Sequence, residues 1–166
     1  MLKGFVAFAF LLTSCGYHLV GQGDGSVFPQ EVNTATLQSN ASLTGKAIAA
    51  ELNFIWQQRT SLPTLEARDS GNKEHAVVRI EQENIVFTPV GFDASGLAMQ
   101  YRLQLSAILK MYQQDALIWQ SGSIMVYADV FGASDPSVTE AERERLTEQL
   151  YKTWAKEALA RLQSGF

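Results

Sequence analysis

The most regular pattern in the chain lies between Leu97 and Met111, where Leu97, Met99, Tyr101, Leu103, Leu105, Ala107, Leu109 and Met111 alternate with Gln100, Arg102, Gln104, Ser106 and Lys110. A period of two puts the apolar set on one face, so the segment predicts a long strand half-buried on a core. Gln113-Gln114-Asp115 then predicts a turn, and residues 117–127 its antiparallel partner. Upstream, Ala76, Val78 and Ile80 alternate with Val77, Arg79 and Glu81, and Ile85-Val86-Phe87 extends that strand past an irregularity. Pro89, Gly91 and Gly96 are expected to end it, and the β-branched stretch 32–38 predicts a short first strand.

Helical spacing marks two further elements. Asn40 or Ser42 is placed to cap a helix over 43–59, with Leu43, Ala47, Ala50 and Phe54 in one apolar row beside Ile48, Leu52 and Ile55. Asp135-Pro136-Ser137 opens the last helix, about 25 residues long, in which Leu146, Leu150, Trp154, Ala158 and Leu162 recur every fourth position. Tyr151, Ala155 and Leu159 flank that row, and Glu140 and Glu142 are expected near the positive end of the helix dipole. Residues 61–73, with Pro63, Gly71 and Asn72, predict a loop. The element order is β-α-β-β-β-α, which gives an α+β fold: two helices packed on one face of a mostly antiparallel four-stranded sheet, in a single domain over 31–166. Trp56, Trp119 and Trp154 are expected to anchor its core.

The first residues do not belong to that body. Lys3 precedes an apolar run over 4–12 that is too short to hold a bilayer, which takes roughly 20 apolar residues. Residues 1–14 therefore read as a removable signal peptide. Leu12-Thr13-Ser14-Cys15 resembles the bacterial lipobox, in which the thiol of Cys15 receives a diacylglyceryl group and becomes the new first residue. Gly16 rather than aspartate follows the cysteine, which points to the outer membrane. Residues 15–30, with Gly16, Gly21, Gly23, Gly25 and Pro29, read as a lipidated tether.

Charge and chemistry narrow the function classes. Thirteen Lys and Arg against seventeen Asp and Glu give a net charge of −4, so no positive field draws in a nucleic-acid backbone, and no nucleic-acid partner is expected. One cysteine forbids an internal disulfide, and His18 and His75 lack metal-ligand spacing, so no metal site is expected. There is no nucleophile elbow, phosphate loop or dinucleotide fingerprint, hence no catalytic residue and no cofactor. Glu81 and Glu83 are two residues apart, so they share a strand face as solvated polar positions. Arg79, Arg102 and Lys110 are the candidates for clamping a phosphorylated lipid, because their cationic groups can hold an anionic oxygen pair.

Cys15-Gly16-Tyr17-His18-Leu19-Val20-Gly21 resembles the start of mature LptE, the lipopolysaccharide-assembly lipoprotein family, and the order of elements follows the same family to the end of the chain. The resemblance implies a lipid-anchored protein on the periplasmic side of the outer membrane. It would serve as plug and assembly partner of the LptD β-barrel in lipopolysaccharide transport, with lipopolysaccharide itself a possible ligand. It further implies basic residues on the sheet, of which the 117–127 strand has none. A secretin-pilot type of accessory lipoprotein, or a lipid-anchored periplasmic ligand-binding protein or hydrolase, are the alternatives.

Overall fold

The computed structural model describes residues 26–65, 71–132 and 136–165. The leader, Cys15, His18 and the glycine-rich stretch 21–25 lie outside them. Six elements follow one another: β1 (Thr34–Ser39), α1 (Leu43–Arg59), β2 (His75–Phe92), β3 (Ala98–Gln113), β4 (Ala116–Phe131) and α2 (Pro136–Ser164). The strands lie in the sheet in chain order, with β1 and β2 parallel across the α1 crossover and the other two pairs antiparallel. This is the expected α+β order with both helices on one face.

The core forms where the two periods meet. Leu103, Leu105, Ala107, Leu109 and Met111 of β3 are buried beneath Leu146, Leu150, Trp154, Ala158 and Leu162 of α2, as their spacing requires. Trp154 is wholly buried and donates its indole N–H to the Ile124 carbonyl at 3.2 Å. Trp56, also buried, donates to the Leu62 carbonyl at 2.8 Å and meets the edge of Phe28, with ring centroids 5.3 Å apart. Trp119 is half-buried against the same core. The β3–β4 hairpin closes on two residues, Gln114 (φ 48°) and Asp115 (φ 61°), the doubly left-handed loop whose twist matches that of the strands it joins.

Four expectations give way to the tertiary structure. In α1 only the second of the two expected apolar rows is buried: Leu43 is 88% and Phe54 61% exposed, while Ile48 and Leu52, with Gly45 and Trp56, form the buried stripe. That stripe faces the sheet and α2 at once, and Gly45 sits in it because a Cβ there would lie 2.5 Å from Asn40 Oδ1. Pro89 does not end β2, which runs on to Phe92. Since β1 pairs only as far as Ile80, Pro89 lies where the other edge of β2 is open and a missing N–H costs the least. Glu140 and Glu142 stand past the first turn of α2 and bind Arg143 and Arg145 one turn on.

Glu81 and Glu83, finally, part company. Gln82 takes a left-handed conformation (φ 54°) in a register shift of β2, so Glu81 stays on the open face while Glu83 turns to the helices. There Glu83 Oε1 accepts from Ser42 Oγ at 2.8 Å, and Ser42, the N-cap of α1, itself accepts from the Gly45 N–H at 2.8 Å. No acidic residue stands in the first turn of α1, so a carboxylate borrowed from β2 meets the positive end of its dipole. Ser42→Ala removes the cap and the donor to Glu83 together. We expect it to cost about 1–2 kcal/mol in urea unfolding, at the upper end for a lost cap; a loss below about 0.3 kcal/mol would show that Glu83 is irrelevant to the helix.

Candidate binding face on the open side of the sheet

The helices leave the opposite face of β3 and β4 bare among the described residues. Gln100, Arg102, Gln104, Ser106, Ile108 and Lys110 point out along β3, and Met125, Tyr127 and Phe131, all exposed, along β4. The three candidate cations all reach this face, but not one place on it. Arg79 and Lys110 are direct cross-strand partners, whereas Arg102 lies eight positions before Lys110 on β3, about 26 Å away at strand rise.

Each cation is engaged. The Arg102 guanidinium donates from Nε to Asp129 Oδ1 at 2.9 Å and from Nη2 to Oδ2 at 3.3 Å, and lies 4.9 Å above the Tyr127 ring. Gln100 donates to the same carboxylate at 3.2 Å. Hydrogen bonding and charge from Arg102 hold the Asp129 carboxyl below its usual range, and Asp129 in turn raises Arg102. Lys110 Nζ stands 2.7 Å from Glu81 Oε2, a contact that raises the lysine above its ordinary value. Arg79 is different. It donates to the Gln38 side-chain carbonyl at 3.1 Å and stacks 4.5 Å over Tyr112, and among the described residues it makes no ion pair. Two like charges facing each other across β2 and β3 repel, and Glu81 beside Lys110 offsets that repulsion.

The strand spacing alone pointed to the cations. Their counter-charges were out of reach of such reading, because Arg102 meets Asp129 only once β3 and β4 are in register, and β4 runs four residues past the expected end at Tyr127 to include it. Like the expected stretch, β4 carries no Lys or Arg. An anion approaching Arg102 or Lys110 has to displace a carboxylate; at Arg79 it displaces an amide oxygen and a ring face.

His75, the other singled-out side chain, serves the fold. It is fully buried, with Nδ1 2.9 Å from Thr34 Oγ1 and Nε2 3.1 Å from Thr36 Oγ1. Among the described residues no three His, Cys, Asp or Glu side chains gather as metal ligands, and no helix is long and apolar enough to cross a membrane.

No protein-family model and no curated protein matches the sequence. Solved structures do match the fold. A lipoprotein B from Nitrosomonas europaea superposes with a TM-score of 0.66 at 15% identity, over 89% of this chain and 90% of that one. The rare lipoprotein B from Shewanella oneidensis gives 0.62 at 13% identity, over 80% of this chain and 96% of that one. A minor lipoprotein from Acinetobacter baumannii gives 0.64 at 9% identity, over 80% and 92%. The chain has the lipoprotein B fold.

In this lipoprotein B fold the open face is held together by charge pairs that water reaches, which makes them sensitive to acid. Asp129 titrates below its ordinary value when folded, so its contribution is intact above the unfolded pKa near 4 and is lost as pH falls through the depressed folded value. Asp129→Asn should therefore flatten the fall in stability below about pH 4, read as the urea midpoint against pH. An unchanged acid limb would mean that the pair contributes nothing to the fold.

Proposed function

We propose that this chain is an outer-membrane lipoprotein, cut and acylated at Cys15, that sits on the periplasmic side as plug and assembly partner of an LptD-like β-barrel and takes part in lipopolysaccharide transport. It binds; it does not catalyse. The observation that carries the reading is the lipoprotein B fold over at least four fifths of the chain, behind a Leu-Thr-Ser-Cys sequence at the edge of an apolar leader. Shape supports it as well. The chain enters the body beside the end of α2, where the Val27 N–H donates to the Leu162 carbonyl, and Arg161 of that end meets the Ser121 carbonyl. Ser121 Oγ accepts from the Leu109 N–H, and from Leu109 to Ala98, eleven positions back along β3, the sheet runs about 36 Å to the far tip. That tip carries exposed Val90, Phe92, Leu97, Met99 and Phe131, an apolar cap suited to a protein wall rather than to water. A compact body with a tethered end and an apolar leading end fits the lumen of a wide barrel.

On the open face, Arg79 is the first contact for a lipid phosphate, with Lys110 and Arg102 following only where the ligand outcompetes Glu81 and Asp129. The test is purification of the chain from outer membranes in mild detergent. A large β-barrel should copurify in about equal amount, and Arg79→Glu should weaken capture of lipopolysaccharide about tenfold while leaving the barrel bound. Purification with no barrel attached would sink the reading.

A further inference from the structure

β4 is the outer strand of the sheet, and nothing among the described residues covers the edge of its half nearer the tip. The Gly132 N–H donates to the Met99 carbonyl, in line with a register that runs unbroken from Gln100↔Phe131 to Ile108↔Ser123. Antiparallel pairs alternate between bonded and unbonded. Ile124, Val126, Ala128 and Val130 therefore bond to β3, while Met125, Tyr127, Asp129 and Phe131 turn their N–H and C=O groups outward. The other edges are guarded. Along β1 the Ala35 N–H donates to the Pro63 carbonyl and the Leu65 N–H to the Ala35 carbonyl, so a loop lies on it. The stretch of β2 beyond Ile80 carries Pro89 and register shifts, both of which spoil a template for a further strand. Nearer the other end of β4, Gly122 (φ 67°) interrupts the strand and Arg161 donates to the Ser121 carbonyl. Toward the tip α2 swings away from β4, for Arg143 lies 5.7 Å over the Phe87 ring on β2. From 125 to 131 there is no proline, lysine or arginine, and the one charge, Asp129, is matched within the chain by Arg102. A long, regular edge with no such guard is a template for another strand.

We propose that the strand which pairs there is β4 of a second copy of this chain, antiparallel about a two-fold axis at Ala128. The side-chain pattern selects the second copy. With Ala128 facing itself, Val126 falls opposite Val130, Tyr127 opposite Asp129 and Met125 opposite Phe131. The pairs on the helix side are then small or β-branched, and on the open face Met125 and Phe131, 55% and 70% exposed, cover each other. Centring on Asp129 would set two carboxylates face to face, and centring on Tyr127 would set Asp129 against Met125. The outward groups of the two copies supply about eight ladder hydrogen bonds, and the two sheets become one of twice the width. Phe131 also belongs to the apolar tip, so a chain whose tip is seated against a barrel wall gives up its copy. The pairing is thus the state of the chain free of a barrel, and it stands independently of the function proposed above.

The full acylated chain in detergent, free of any barrel, tests it through the protein mass at sedimentation equilibrium. At about 100 µM the mass should be that of two chains, with a dissociation constant on the order of 10 µM, as suits an interface at the small end of the range. Tyr127→Pro takes away an outward N–H and no bond to β3, and Met125→Lys puts a charge on the edge; each should raise that constant at least about tenfold. Ile118→Lys, on the same strand but outside 125–131, should leave it unchanged. Disulfide formation reads the register. Under mild oxidation, Tyr127→Cys chains mixed with Asp129→Cys chains should join at least about tenfold faster than either variant alone, because only the mixed pair stands directly opposite, about 5.5 Å between Cα atoms. A single-chain mass at this concentration, a dimer indifferent to Met125→Lys, or equally fast joining in every mixture overturns the proposal. If Tyr127→Pro loses the circular dichroism of the parent, Met125→Lys decides by itself, since it alters one exposed side chain. Absence of a barrel in the purification above would sink the functional reading and leave the dimer standing, whereas a single-chain mass here would do the reverse.

Discussion

Trp154→Ala should lower the stability of the chain by about 3–5 kcal/mol, the range for emptying the site of a buried large aromatic, against the total of about 5–15 kcal/mol that a domain of this kind possesses. Trp154 is fully buried where the apolar row of α2 crosses the sheet, and its indole N–H satisfies the Ile124 carbonyl. The truncation therefore leaves a cavity and takes a donor away in one step. The urea midpoint should fall steeply with an unchanged slope, since the same surface is still exposed on unfolding. Trp154→Phe should land between, retaining most of the packing but not the donor, and costing about 1–3 kcal/mol. A loss under about 1 kcal/mol in the alanine variant would mean that α2 repacks freely on the sheet, and that its four-residue row does not hold the helix in place.

The second large effect concerns the membrane. The acylated chain, floated with phospholipid vesicles that contain no barrel, should be recovered with the lipid, whereas Cys15→Ala placed behind a conventional cleavable leader should stay in solution, a change of at least about a hundredfold in partitioning. The reason is additive burial: one acyl chain gives marginal, reversible binding, and two or more give a stable anchor. Absence of the barrel from the vesicles matters, because a plug held by its partner would stay with the membrane fraction without any lipid of its own. Equal flotation of both chains, or an unmodified sulfur at Cys15 in the mass spectrum of the purified protein, would remove the anchor from the proposed function.

The open face illustrates how far a strand pattern reaches. Alternation along β3 placed Arg102 and Lys110 on the side away from the core, and both are found there. It did not reveal that Asp129 and Glu81 already occupy them, because a counter-charge on another strand is brought opposite only by register, and register here is shifted by irregularities in all the antiparallel pairings. The singling out of Arg79 is likewise a product of the sheet, in which its guanidinium meets the Gln38 amide and the Tyr112 ring and, among the described residues, pairs with no carboxylate. The seating of Val27 and Phe28 on the core, ahead of β1, had no periodicity to announce it and follows from contacts between segments far apart in the chain.

By itself the sequence determined what short-range periodicity encodes: the order of six elements, the inward face of β3, the buried row of α2, a cap for α1 at Asn40 or Ser42, of which the structure uses Ser42, and the β3–β4 turn. These depend on neighbours two to four residues away, where backbone geometry leaves few choices. The tertiary structure alone decided which row of α1 is buried, that β2 continues through Pro89, that Glu83 turns inward to the start of α1 while Glu81 stays outside, and which cation on the open face pairs with no carboxylate among the described residues. Each of those outcomes depends on a partner at least a strand or a helix away, on an open edge, a bulge or a helix dipole that exists only once the chain has folded.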